Sequence, residues 1–186
     1  NKNFTNVVFE VEDGKLTITP APLTVTTESS SKVYDGTALT APGSITGLVN
    51  DETVTFEVTG SQINVGSSKN TYSLVWGTAK EDNYTVVEDL GTLTVDSVEA
   101  EVVVKIKGNT STETYTGTEQ TVTGYTVESI SNPLYTTDHF TFTGTATASG
   151  VDANTYAMGL EAANFENTNK NFTNVVFEVE DGKLTI

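Results

Sequence analysis

The segment Asn169-Lys170-Asn171-Phe172-Thr173-Asn174-Val175-Val176-Phe177-Glu178-Val179-Glu180-Asp181-Gly182-Lys183-Leu184-Thr185-Ile186 alternates apolar and polar side chains on either side of an Asp-Gly pair. A period of two belongs to a strand with one buried face. Asp-Gly between two such runs signals a primed hairpin turn, whose positive φ suits a residue without a Cβ. Residues 1–18 repeat the segment without a single change, so the same hairpin is expected there, Val7 to Val11 joined to Leu16 to Ile18 through Asp13-Gly14. The distance between the two starting points, Asn1 and Asn169, is the period of the repeat. Identical repetition of mixed composition marks a tandem array, and the chain reads as a window on a longer repetitive polypeptide. Arrays serve length, spacing and multiplicity, whereas an enzyme needs one well-made site. The expectation is therefore a non-enzymatic protein with no catalytic residues, no cofactor and no metal ligands.

Composition narrows the class further. Against 25 acidic residues stand 9 basic ones, all lysine, for a formal charge of -16. Such a surface is a poor partner for nucleic acid or anionic membrane. Threonine is about a fifth of the chain and helix formers are sparse, which favours strands. With no cysteine, disulfides, thiolate metal sites and cysteine nucleophiles are excluded. The apolar runs fall far short of a membrane-spanning helix.

Alternation dominates the interior as well. Val54, Phe56 and Val58 interleave with threonine and glutamate, and Val102, Val104 and Ile106 with Glu101, Lys105 and Lys107. Leu23 with Val25, Tyr72 with Leu74, Phe140 with Phe142, and Tyr156 with Met158 and Leu160 follow the same pattern. The two halves of the period also resemble each other. Val33-Tyr34-Asp35-Gly36-Thr37 matches Thr114-Tyr115-Thr116-Gly117-Thr118, Asn70-Thr71-Tyr72 matches Asn154-Thr155-Tyr156, Asn83-Tyr84-Thr85 matches Asn171-Phe172-Thr173, and Leu93-Thr94-Val95 matches Leu184-Thr185-Ile186. The order is kept. Residues 1–19 are then expected as the terminal hairpin of a preceding repeat, 20–96 as one small β domain and 97–186 as a second. The joints Thr19-Pro20-Ala21-Pro22 and Asp96-Ser97-Val98-Glu99-Ala100 are short, so neighbours are expected to stack end to end as a rod.

A family resemblance appears at these same residues. Pro22-Leu23-Thr24-Val25-Thr26, Lys32-Val33-Tyr34-Asp35-Gly36-Thr37, Asn83-Tyr84-Thr85 and Gly91-Thr92-Leu93-Thr94-Val95 resemble the YDG-type repeat of bacterial surface proteins. The second module, with Tyr115-Thr116-Gly117-Thr118 and Asn154-Thr155-Tyr156, resembles the related MBG-type repeat. What the resemblance implies is an all-β protein of two small tandem domains, grasp-like or immunoglobulin-like. It also implies a stalk or adhesin role on the surface of a Gram-positive cell, extracellular and anchored to the wall through the parent protein. It brings no catalytic or ligand residues. Thr116 stands where the first module has Asp35, which confines any role of that aspartate to one module in two.

Candidate chemistry is sparse, and each item has a plainer reading beside it. Asp138-His139 contains the only histidine and suggests a general base, but adjacent residues of a strand face opposite ways, which makes His139 a surface or loop residue. Tyr34 and Asp35 would suit a sugar, or a ring packed at a core edge beside a glycine turn. Trp76 reads as core or interdomain contact. Glu10, Glu12, Asp13, Glu81, Asp82, Glu88, Asp89, Asp96, Glu99 and Glu101 offer oxygens to calcium but lack EF-hand spacing. Lys105 or Lys107 with Asn171 or Asn174 is a candidate isopeptide pair, although alternation puts both lysines on the polar face. The expected partners are adjacent repeats of the same polypeptide, another chain through head-to-tail strand exchange of the repeated end, and host glycan or mucin bound weakly at many sites.

Overall fold

The structure is a computed structural model that describes residues 3–186. Eight strands lie between residues 21 and 96: β1 Ala21–Thr27, β2 Ser30–Val33, β3 Gly43–Thr46, β4 Val54–Val58, β5 Gly66–Lys69, β6 Tyr72–Trp76, β7 Tyr84–Leu90 and β8 Thr92–Asp96. Ten follow: β9 Val102–Gly108, β10 Thr110–Thr112, β11 Gln120–Thr123, β12 Tyr125–Ile130, β13 Phe140–Phe142, β14 Thr147–Gly150, β15 Thr155–Ala157, β16 Phe165–Asn167, β17 Val175–Glu180 and β18 Lys183–Thr185. The protein is all-β, its helical stretches being 3-10 turns of three residues each. The alternating segments over 54–58 and 102–106 are strands, and Leu23, Val25, Val102, Val104 and Ile106, on the inner faces of β1 and β9, are buried, whereas the run from Tyr156 to Leu160 is a strand only as far as Ala157.

Both modules are closed by parallel pairing of their first and last strands. In the first, β1 runs beside β7 with Ala21 opposite Tyr84, and β2 beside β8 with Ser30 opposite Leu93. The offset in sequence is the same for both pairs, since 84 minus 21 equals 93 minus 30. Two chain segments therefore run side by side from 21 to 33 and from 84 to 96, and cross together from one sheet into another. In the second module β9 pairs with β17 and β10 with β18, again at a single offset, since 175 minus 102 equals 183 minus 110. Antiparallel neighbours flank the ladders: β3 on β1, β5 on β8, β12 on β9 and β15 on β18. Parallel strands need a long connection, and here the rest of each module supplies it.

The crossing points depend on glycine because backbone meets backbone there. A Cβ on Gly91 would collide with the carbonyl group of Glu28, and one on Gly182 with the carbonyl oxygen of Asn109. Splitting each ladder between sheets also splits the core. In the first module Leu23, Ala79 and Tyr84 form one cluster, with Trp76 packed against it and stacked on Tyr84, while Leu39, Ala41, Leu93 and Val95 form another. The second module has a larger aromatic core around Tyr135, Phe140, Phe165 and Phe172, and a smaller one around Met158 and Leu184.

Three expectations need correction. Asp181-Gly182 does not turn a hairpin: β17 and β18 belong to different sheets, and Gly182 is absent from the positive-φ glycines. It is the crossing from one sheet to the next, where closeness to Asn109 rather than φ selects glycine. Residues 4–18 carry no strand at all, so the expected hairpin through Asp13-Gly14 is not formed. Asn70-Thr71-Tyr72 and Asn154-Thr155-Tyr156 are alike in sequence but differ in place: Tyr72 lies on β6 opposite Val58, and Tyr156 on β15 opposite Leu184.

The repeated sequence provides an internal control. Gly182→Ala should destabilise the second module by about 1–3 kcal/mol through overpacking. Gly14→Ala, where nothing lies within 4 Å, should leave denaturant unfolding of the dilute protein unchanged.

Candidate functional site

The Tyr-Asp-Gly turn follows β2 and is built around one carboxylate. Asp35 Oδ1 accepts from the Lys32 ammonium at 2.6 Å, the Thr37 amide at 2.9 Å and the Thr37 hydroxyl at 2.8 Å. Lys32 also donates to the Thr37 carbonyl and hydroxyl oxygens, each at 2.8 Å. Gly36 takes φ +78°, the left-handed conformation that glycine adopts without cost. The Lys32 ammonium holds the Asp35 carboxyl down at about 2, with the Thr37 groups adding to the effect. The second module keeps the backbone of this turn, Gly117 having φ +74°, and uses Thr116 in place of the carboxylate, its hydroxyl 2.9 Å from that of Thr118. No charge is involved there.

The turn fixes Tyr34, and Tyr34 spans the joint between the modules. Its amide donates to the carbonyl of Asp96 at 2.8 Å, and its ring meets Phe172 of the second module edge-on at 5.6 Å. It packs against both the Leu93 cluster of its own module and the aromatic core of the next. Beside it, Asn171 Oδ1 accepts from the Val65 amide at 2.7 Å, and Asn171 Nδ2 donates to Asn64 Oδ1 at 3.1 Å. The linker is held as well, because Val98 forms a parallel bridge with Phe172. Tyr115, at the matching position of the second module, is 58% exposed.

A cleft of about 450 Å³ opens at this joint, bordered by Tyr34, Asn64, Asp138, His139, Asn169 and Lys170. His139 and Asp138 sit on a 3-10 turn rather than on a strand. His139 Nδ1 accepts the Thr136 amide at 3.0 Å, and the His139 carbonyl accepts the Thr168 amide at 2.8 Å, so the residue braces its loop. Beneath it Tyr135 is buried, with its hydroxyl 3.0 Å from the His139 carbonyl and 2.9 Å from Asn167 Oδ1; burial pushes the phenol up to about 12. Asn70 is likewise buried, donating to the carbonyls of Glu28 and Ala41 at 3.0 Å each and accepting from the Thr27 hydroxyl at its own carbonyl. Neither Tyr135 nor Asn70 lies in an alternating run that would have marked it as core.

The other candidates are not brought together. Lys105 and Lys107 lie 3.4 Å and 2.7 Å from Glu178 and Glu180, while Asn171 faces the first module and Asn174 reaches the Glu99 carbonyl. The isopeptide pair is therefore not assembled. Among the described residues no three His, Asp or Glu side chains gather where a metal ion would be held. Glu88 and Glu52 accept instead from the hydroxyls of Tyr72 and Tyr84, both at 2.6 Å.

These features define a class of all-β modular protein in which a glycine turn presents a ring to the following module. Residues 19–92 match the family model of the YDG domain, and the first module is of YDG type. The match contains the Tyr34-Asp35-Gly36 turn, the second module lies outside it, and no curated protein or solved structure matches the chain.

The turn carries a pH signature. A free aspartate titrates near ~3.9, and in the folded protein Asp35 does so at about 2. Its contribution to stability is complete above the first value and is lost as pH falls through the second. Asp35→Asn should therefore differ most from the parent chain above pH ~4, and the two denaturant midpoints should converge toward pH ~2.

Proposed function

We propose that this chain is a stalk or spacer segment of an extracellular bacterial surface protein or adhesin, in which tandem modules hold a distal function away from the cell. The observation that carries this reading is the parallel ladder. Because the exit strands β7 and β8 run in the same direction as the entry strands β1 and β2, the chain enters a module at one end and leaves it at the other. Successive modules then add length instead of folding back. Tension on the termini loads the ladder's hydrogen bonds along the strands, so they must fail together rather than one at a time. The joint supports the same reading, since Tyr34, Asn64 and Val65 engage Phe172 and Asn171 just where one module meets the next. The YDG-type character of the first module agrees with a repeat protein.

A second reading, weak multivalent binding of host glycan or mucin, is favoured by one feature, the junction cleft with Tyr34, three asparagines and Lys170 at its border. Aromatic faces and amides are the groups that sugars use. A glycan array on the chain separates the two: a spacer binds no coherent family of sugars, and a lectin-like repeat does.

The spacer reading fixes a shape. A compact chain of 186 residues has a radius of gyration near ~16 Å. Two modules in line should exceed ~20 Å, because the separation of their centres adds to each module's own size, and should give a second maximum in the pair-distance distribution from small-angle scattering. A radius no larger than that of the compact chain would overturn the in-line arrangement.

A further inference from the structure

We propose that Asp35-Gly36 is a self-modification site, at which the backbone converts to an isoaspartyl linkage once Lys32 releases the Asp35 carboxyl, and that this conversion undocks the joint between the modules. The inference is independent of the spacer reading. The chemistry is intramolecular. The Gly36 amide nitrogen attacks Asp35 Cγ, the nitrogen gives up its proton, the carboxyl gives up its hydroxyl as water, and a five-membered succinimide closes. Water then opens the ring at either carbonyl. One opening restores aspartate, and the other leaves the backbone running through the side-chain carbonyl, one methylene longer. The water lost in the first step is regained in the second, so no other reactant is consumed.

Aspartate followed by glycine is the pair most open to this attack, because glycine has no side chain to cover its nitrogen. Of the two such pairs within the modules, packing closes one. Gly182 is buried, a Cβ on Gly108 would collide with its nitrogen, and the two oxygens of Asp181 accept the amides of Gly159 and Leu160 at 3.0 and 2.7 Å. Gly36 is exposed, and Asp35 is restrained by hydrogen bonds to one oxygen, from the Lys32 ammonium at 2.6 Å and from the amide and hydroxyl of Thr37 at 2.9 and 2.8 Å. Ring closure needs the protonated acid, since a carboxylate has no hydroxyl to leave as water. A cation in direct contact keeps the group ionised and therefore unreactive. Thr116 builds the matching turn of the second module without a carboxyl, so that turn carries no such site. Conversion at Asp35 acts on the joint because both neighbours bear on the second module. Tyr34 meets Phe172, and a Cβ on Gly36 would lie 3.3 Å from Leu134 Cδ2. A methylene inserted between these two anchors moves one of them out of place.

The full chain carrying Lys32→Met tests the lock, with isoaspartate at position 35 counted by peptide mapping after incubation at pH ~5. At that pH a free aspartic acid is about a tenth protonated. Asp35, held at about 2 by Lys32, is protonated about a hundredfold less. With Thr37 still bonded, Lys32→Met should form isoaspartate at least ~tenfold faster than the parent chain. Equal rates would overturn the proposal. A pH profile separates loss of the cation from a loosened turn, and it covers failure of Lys32→Met to fold because the parent alone suffices to read it. In the folded parent the rate should climb about tenfold per unit from pH ~5 to pH ~3, whereas in the parent unfolded by urea it should level off below pH ~4. A folded parent that levels off with the unfolded chain would overturn the lock. The isoaspartyl fraction, separated from the unconverted chain by chromatography, reports on the joint. Its Val65 and Val98 amides, both held by Asn171, should exchange hydrogen at least ~tenfold faster than before conversion. Unchanged exchange at both would overturn the undocking.

Discussion

The parallel pairing of entry and exit strands is the constraint on which both modules depend. Neither ladder exists until the chain has traversed the rest of its module, so the last strands close the fold rather than decorate it. Leu93 and Leu184 show this by burial: each is fully buried on a strand flanked on both sides, β8 between β2 and β5, and β18 between β10 and β15. Closure over such separations has an entropic cost that local contacts do not offset early in folding. The stability of each module is thereby concentrated in its final segment, and so is its vulnerability to loss of that segment.

The same constraint explains why the joint is built from the ends of the ladders. Asp96 ends β8, and its carbonyl accepts the amide of Tyr34, the residue just past β2, so exit strand and turn are tied together. The chain then reaches Val98, which bridges to Phe172, the residue against which Tyr34 rests its ring. With so few residues between these anchors, little free linker remains. Asp35 acts at one remove: its hydrogen bonds stay within its own turn, to Lys32 and Thr37, and fix the turn that aims Tyr34. This accounts for how a threonine serves at the second turn, where Tyr115 is exposed and the ring has no joint to hold.

Much of the strand content was legible, because half-buried strands print their pleat directly into the sequence. Val54, Phe56 and Val58, or Val102, Val104 and Ile106, could be assigned to faces from alternation alone, and the positive φ of Gly36 and Gly117 follows from the turn chemistry. What alternation does not encode is the partner. Asp181-Gly182 has the composition of a hairpin turn, and only the backbone of Gly108 and Asn109 pressing on Gly182 reveals a crossing between sheets. Tyr135 and Asn70 escaped for another reason. Both are buried outside any alternating run, the Tyr135 hydroxyl meeting Asn167 and the Asn70 side-chain amide donating to Ala41, groups far away in sequence, and no local pattern records such a match. The pairing of Asn70 with Asn154 failed because short motifs rich in Asn and Thr recur here on strands with different neighbours.

The two copies of the repeated segment make the general point within one chain. Propensity, alternation and charge are identical in residues 3–18 and 171–186, yet only the second copy forms strands. Secondary structure in this protein is therefore conferred by the surface a segment meets. The segment's own preferences set which face would be buried and in what register, and the body of the module decides whether it is buried at all. A sequence that is a strand only in company must carry its alternation, its crossing glycine and its capping aspartate wherever it occurs. The same alternation, glycine and aspartate recur in residues 3–18, down to Asp13 and Gly14, so this copy carries the sequence that a second-module body accepts.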